Sequence, residues 1–88
     1  MEVIFAPAAA ADLLYIRTYI GRFNPAAARR MAERIKAAAL SLAEHPKRGA
    51  PRDDGSRKLL IAPPYEIVYD EAPGRVTVLR IWHGSQDR

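Results

Sequence analysis

The sequence predicts an α+β fold of order β-α-α-β-β-β. An N-terminal strand and a helical hairpin pack on one face of a twisted, mainly antiparallel sheet. Three observations predict it. Two apolar seams with helical spacing lie side by side, separated only by a short Asn-Pro junction. Three short runs rich in β-branched and aromatic residues follow, punctuated by Pro and Gly. Connections this short join antiparallel neighbours, because a parallel pair needs a long crossover.

Residues 2–6, Glu-Val-Ile-Phe-Ala, read as the first strand, stopped by Pro7. Pro7 suits the first turn of a helix, where its missing N–H costs nothing. That helix is expected to reach about Arg22. Ala9, Leu13, Ile16 and Ile20 fall on one face, and Tyr15 and Tyr19 flank it. Asp12 toward its start and Arg17 and Arg22 toward its end suit the macrodipole. Asn24 is a strong N-cap and Pro25 fits N1 of a second helix, expected over Pro25 to about Glu44. Ala28, Met31, Ile35, Ala38 and Leu42 recur at three-four spacing, the seam of helix-on-helix packing.

Pro46 ends the second helix. Residues 46–56 hold two prolines, two glycines and five charges and read as an exposed loop. Its Asp53-Asp54-Gly55 tip lacks the remaining ligand spacing of a calcium loop. Three strands follow: Arg57–Ala62, closed by Pro63-Pro64; Tyr65–Glu71; and Arg75–His83, reached through Ala72-Pro73-Gly74-Arg75, a type II turn pattern. Strict alternation puts Tyr65, Ile67 and Tyr69 on one face of the middle strand, against Glu66, Val68 and Asp70. In the last strand it puts Thr77, Leu79 and Ile81 opposite Val76, Val78, Arg80 and Trp82.

The 88 residues, +4 in net charge, contain no cysteine. One small domain spanning 1–88 is expected; there is no room for a second core or a repeat array. Disulfides, thiolate zinc sites and thiol nucleophiles are excluded. With two separated histidines, no metal site or other cofactor is expected. The absence of a signal-like start and of a long apolar span points to the cytoplasm and away from a membrane. Eleven of the 14 basic residues are arginine, the residue suited to bidentate carboxylate and phosphate contacts. The pI near 9.9 fits an acidic partner, either nucleic acid or protein, or simple solubility.

Ala11-Asp12-Leu13, Ile16 with Tyr19-Ile20, Asn24-Pro25-Ala26-Ala27, Leu42, Pro46 to Gly49, Arg57 and Leu59, Tyr65 to Tyr69, Val78-Leu79-Arg80 and His83-Gly84 run in that order through nearly the whole chain. Together they resemble the RelE/ParE toxins of type II toxin–antitoxin systems. The resemblance implies a cytoplasmic toxin silenced by a cognate antitoxin, whose acidic C-terminal segment wraps it. Two activities occur in that superfamily: ribosome-dependent mRNA cleavage in the RelE-like branch and inhibition of DNA gyrase in the ParE-like branch. The nuclease pattern carries a basic residue after the position of Tyr65, where this chain has Glu66, and an Arg or Tyr cluster after the last strand, where it reads Gly84-Ser85-Gln86-Asp87-Arg88. A carboxylate at Glu66 repels phosphate, whereas cleavage needs a cation and an acid–base pair. The resemblance therefore implies the ParE-like branch, a gyrase poison with no catalytic residues, no membrane contact and no sequence-specific nucleic-acid binding; an inactive antitoxin-binding relative is a third reading.

Candidate contact residues for target or antitoxin are Arg57, Arg80, Trp82 and His83. Each also has a plainer reading. Arg57 and Arg80 fit ion pairs within the sheet, for example to Glu66 or Asp70. Trp82 fits the core, and His83 fits a strand end holding the tail, or an acid–base role in a nuclease. Arg29, Arg30 and Arg34 are a candidate antitoxin-docking patch or a solvated helix face. Tyr65 and Tyr69 fit burial beneath the helices, and His45 fits a structural role at a helix end.

Overall fold

A computed structural model describes residues 1–61 and 63–84. Its elements are β1 (Glu2–Phe5), α1 (Pro7–Gly21), α2 (Pro25–Ser41), β2 (Ala50–Pro51), β3 (Arg57–Leu60), β4 (Tyr65–Ala72) and β5 (Arg75–His83). They form one five-stranded sheet of order β1-β5-β4-β3-β2. β1 pairs with β5 in parallel and every other pair is antiparallel. The expected α+β architecture is present.

The punctuation residues act as predicted. Pro7 opens α1 with only Ala6 between it and the end of β1. The Asn24 side chain accepts the Ala27 N–H at 3.0 Å, with Pro25 opening α2. A cap of this kind is worth ~1 kcal/mol. Gly74 takes φ +78°, the left-handed conformation that the type II turn needs. Both helical seams face inward: Ala9 and Ile16 from α1, and Ala28, Ala32, Ile35 and Ala39 from α2, followed by Leu42, are buried. Ala9, Ile16, Ile35, Ala39 and Leu42 pack in one cluster with Tyr65, Ile67 and Tyr69 of β4 and with Val76, Val78 and Ile81 of β5. Each fully buried Val, Leu or Ile side chain contributes about 1.5–3 kcal/mol, and each alanine methyl less.

Two sequence expectations need correction. The segment over 46–56 is not all loop, because Ala50–Pro51 adds a two-residue edge strand on β3. Two residues carry no periodicity that could reveal them. The second concerns the faces of β5. Val68 lies opposite Arg80 while Tyr69 lies opposite Val78, so Leu79 has no counterpart. This bulge shifts the alternation by one. Val76 and Val78 before it and Ile81 after it are all buried in the core, so residues that strict alternation put on opposite faces share one. Element ends also move: β1 stops at Phe5, α1 at Gly21, α2 at Ser41 and β3 at Leu60, and β4 extends to Ala72. Ala62 and the tail 85–88 lie outside the described residues.

The loop after α2 is tied across one end of the sheet. The Tyr69 hydroxyl accepts the Gly49 N–H at 2.8 Å and donates to the Pro46 carbonyl at 2.7 Å. Gly49 is required by closeness: a Cβ there would lie 2.8 Å from the Tyr69 ring and 3.0 Å from the Lys58 carbonyl oxygen. Farther on, Asp54 Oδ1 accepts both the amide and the hydroxyl of Ser56, at 3.0 and 2.6 Å, which closes the Asp53-Asp54-Gly55 tip.

Candidate functional site

The candidate residues do not gather at one point. Arg80, Trp82 and His83 share the last turn of sheet on β5. Arg57 stands at the start of β3, opposite Tyr69, whereas His83 stands opposite Tyr65. Four residues of strand separate those two positions, roughly 13 Å.

Arg57 is spent on the scaffold. Its Nε donates to Glu71 Oε1 at 3.2 Å, and its Nη1 donates to the carbonyls of Gly49 at 2.7 Å and Lys47 at 3.3 Å. Its side chain is 20% exposed. Lys47 adds a second cation to Glu71 at 3.0 Å. The Lys47 hydrogen bond, foremost, with the charges of Lys47 and Arg57, holds the Glu71 carboxyl below its usual range. The ion-pair partner is thus Glu71 and neither Glu66 nor Asp70. Glu71 lies two residues beyond Tyr69, a diagonal neighbour of Arg57 within reach of a long side chain.

Arg80 has a different partner and a different setting. Its Nε and Nη2 donate to the two oxygens of Asp12 at 2.7 and 3.0 Å, a bidentate pair joining β5 to α1. That hydrogen bonding raises the guanidinium's already high pKa. The Arg80 side chain is 43% exposed. The partner is again neither Glu66 nor Asp70. Glu66 instead sits 3.7 Å from Lys58.

Trp82 lies opposite Glu66 in the register, on the sheet face away from the helices. It is half-buried and outside the main core cluster. The guanidinium carbons of Arg80 and Arg52 lie 5.5 and 5.7 Å from its ring centroid, within cation–π range. Arg52 also meets Asp54 at 3.5 Å, so the loop tip is held against this aromatic. His83 packs edge-on against Tyr65 with ring centroids 5.5 Å apart. Tyr65 is buried as expected, and that burial, foremost, raises its phenol pKa above the usual 10.0.

Beside His83 runs a groove of about 340 Å³, lined by Asp12, Tyr15, Ile16, Tyr19, Tyr65, Ile81 and His83. One wall continues as an aromatic strip at i, i+4, i+8 along α1. Tyr15 and Tyr19 are 6.4 Å apart, and Tyr19 and Phe23 are 5.6 Å apart. All three are exposed, Phe23 at 75%. Contiguous exposed aromatics of this kind mark binding surfaces. Sequence reasoning placed Tyr15 and Tyr19 beside the seam but did not add Phe23, which follows the end of α1.

Arg29, Arg30 and Arg34 are exposed on α2 and make no ion pair among the described residues. Arg29 borders a shallow depression with Arg17 and Leu14, while Arg34 borders another with Arg48 and Leu60. His45 is exposed beyond α2, its N–H on the Ser41 carbonyl. Among the described residues no group of three or more His, Asp or Glu is placed to hold a metal, and no helix is long and apolar enough to cross a membrane.

Comparison with known proteins gives a consistent picture. Residues 3–88 match the family model described as the ParE toxin of type II toxin–antitoxin system, parDE. Toxin RelE2 of Caulobacter vibrioides is 48% identical over 85 residues, spanning 97% of both chains. The chromosomal ParDE toxin–antitoxin system of P. aeruginosa contains a chain of the same fold, with a TM-score of 0.83 at 23% identity over 94% of this chain and 95% of that one. The toxin–antitoxin complex RelBE2 of Mycobacterium tuberculosis contains another, with a TM-score of 0.68 at 22% identity over 93% and 95%.

Proposed function

Because the chain belongs to the ParE toxin family of type II toxin–antitoxin systems, we propose that it poisons DNA gyrase by protein–protein binding and is neutralised by a cognate antitoxin. The proposed unit is the whole chain as one toxin domain acting in the cytoplasm. One observation carries the choice of binding over catalysis. The cations on and beside the sheet that RNA cleavage would recruit each meet a carboxylate: Arg57 with Glu71, Lys58 with Glu66, Arg80 with Asp12, Arg52 with Asp54. Cleavage of a phosphodiester requires positive groups aimed together at the charge developing on phosphate. Here they are dispersed and neutralised, with Arg57 far from His83.

In this reading Arg80, Trp82 and His83, with the groove beside them, form the contact surface, and Arg57 keeps the adjoining loop in shape. Arg29, Arg30 and Arg34 offer the antitoxin's acidic segment a basic helix face. The neighbours' descriptions as toxin–antitoxin systems support an antitoxin partner. A second reading, mRNA cleavage on the ribosome, is favoured by the name of the Caulobacter relative, Toxin RelE2. Antitoxin-free protein in a supercoiling assay, beside a ribosome–mRNA cleavage assay, separates them. Inhibited supercoiling with intact mRNA supports gyrase poisoning; cut mRNA with unaffected gyrase overturns it.

A further inference from the structure

The chain's positive charge is concentrated in one part of it. Residues 7–48, the helical hairpin and the turn after it, hold eight basic and three acidic residues, whereas residues 49–88 hold six of each. On the sheet the cations are spent internally: Arg57, Lys58 and Arg75 each meet a carboxylate. On the hairpin they are not. Arg17 and Arg22, and Arg29, Arg30 and Arg34 of α2, are exposed and enter no ion pair among the described residues. Arg48, also exposed, donates to the Ser41 hydroxyl at 2.7 Å. Asp12 is already held by Arg80, which leaves Glu33 as the one carboxylate on α2.

These arginines stand on both flanks of α2. Arg29 shares a depression with Arg17 of α1, and Arg34 shares another with Arg48 and Leu60. Arg30, Glu33 and Ala37 are exposed between the flanks, as helical spacing places them. A helix with its side chains is about 10–12 Å across. The major groove of B-form DNA is about 12 Å wide, with a phosphate strand on each wall. The major groove of an A-form RNA helix is too deep and narrow for such a fit. Splayed single strands are gripped by stacking on aromatic rings, and neither depression has one. The guanidinium fork suits phosphate oxygens bidentately.

We infer that the outer face of α2, with Arg17 and Arg29 on one flank and Arg34 and Arg48 on the other, binds the phosphate backbone of duplex DNA without reading its sequence. The affinity comes from counterion release, which makes it steeply dependent on salt. For its use, though not for its chemistry, the inference rests on the gyrase reading: a poison held on duplex DNA is concentrated where a DNA-bound enzyme works. An acidic antitoxin segment on Arg29, Arg30 and Arg34 would compete with DNA for the same face.

The test titrates the antitoxin-free full chain into a fluorescent mixed-sequence DNA duplex of about 20 base pairs and follows anisotropy from about 50 to 200 mM salt. With four phosphate contacts, log K is expected to fall against log salt with a slope of about −3.6. Arg30→Gln/Arg34→Gln is expected to make that slope shallower by about two and to weaken binding about tenfold or more. Lys58→Gln/Arg75→Gln removes the same charge from the sheet and is expected to stay within about threefold of the parent. Glu33→Gln removes the carboxylate from the face and is expected to bind about threefold more tightly; it decides alone if the first double variant does not fold. Absence of salt-dependent binding, equal losses in the two double variants, tighter binding of an RNA duplex or of polyglutamate, or no gain in Glu33→Gln overturns the inference. No gyrase, ribosome or antitoxin enters the measurement, so it can fail while the proposed toxicity stands, and the reverse.

Discussion

Two arginines mark two ends of the same sheet. Arg57 and Arg80 each pair with a carboxylate, yet their surroundings assign them different work. Arg57 lies beneath the loop over 46–49, donating to Glu71 and to two backbone carbonyls. Arg80 sits near the end of β5 beside an aromatic groove, its carboxylate supplied by a helix. The contrast teaches that an ion pair alone does not identify a contact residue. What the guanidinium also bonds, and whether solvent reaches it, separates a lash from a landing point. The Arg80 pair is bidentate and its Asp12 side is largely covered, so Arg80 holds α1 to β5 while its guanidinium, 43% exposed, still reaches solvent.

The contrast can be broken first at the loop end, where the largest stability effects are expected. Gly49→Ala places a methyl group against the Tyr69 ring. Overpacking of this kind costs about 1–3 kcal/mol, or roughly 4–8 °C of Tm per kcal/mol in a chain this size, read by thermal denaturation. Tyr69→Phe leaves the buried Gly49 N–H without its acceptor and should cost about 1–3 kcal/mol on the same measurement. Arg57→Ala should lower Tm by a few degrees while inhibition per folded molecule stays within about twofold. Arg80→Ala should also lower Tm, because it leaves the largely covered Asp12 carboxylate without its guanidinium, but here inhibition of supercoiling per folded molecule should fall at least tenfold as well. Equal losses of activity in both variants would erase the distinction.

The smallest effect is on pH. The Glu71 carboxyl is depressed below 4.5 in the folded chain. A depressed carboxyl stabilises the fold above its unfolded pKa, and that stability is lost as pH falls through the folded value. Tm should therefore fall as pH drops below about 4.5, and Glu71→Gln should start lower at neutral pH and fall less. Parallel curves for parent and variant would show that Glu71 is not the titrating lash.

Much of the fold was legible in local chemistry. Pro7, Asn24-Pro25 and Pro73-Gly74 fix backbone angles by themselves, so the helix starts and the last turn followed from the residues. The helical seams followed from spacing. What escaped depends on pairs distant in sequence. The bulge at Leu79 is a mismatch between two strands, invisible in either one, and it brings Val76 and Val78 onto the same buried face as Ile81. Asp12 and Arg80 are 68 residues apart, with no local signal joining a helix carboxylate to a strand arginine. Glu71 escaped because the β3–β4 register, set by the whole hairpin, decides which carboxylate Arg57 reaches. Arg80, Trp82 and His83 were legible as neighbours on one strand; the groove beside them was not, because α1 supplies its other wall.

The central claim is that this toxin acts by binding gyrase through the Arg80 end of the sheet. The most direct measurement sets the parent chain and Arg80→Ala side by side in gyrase supercoiling and ribosome–mRNA cleavage assays. The account predicts that the parent inhibits supercoiling, that Arg80→Ala does not, and that mRNA stays intact with both. Cleaved mRNA with the parent chain, and supercoiling untouched, would contradict it.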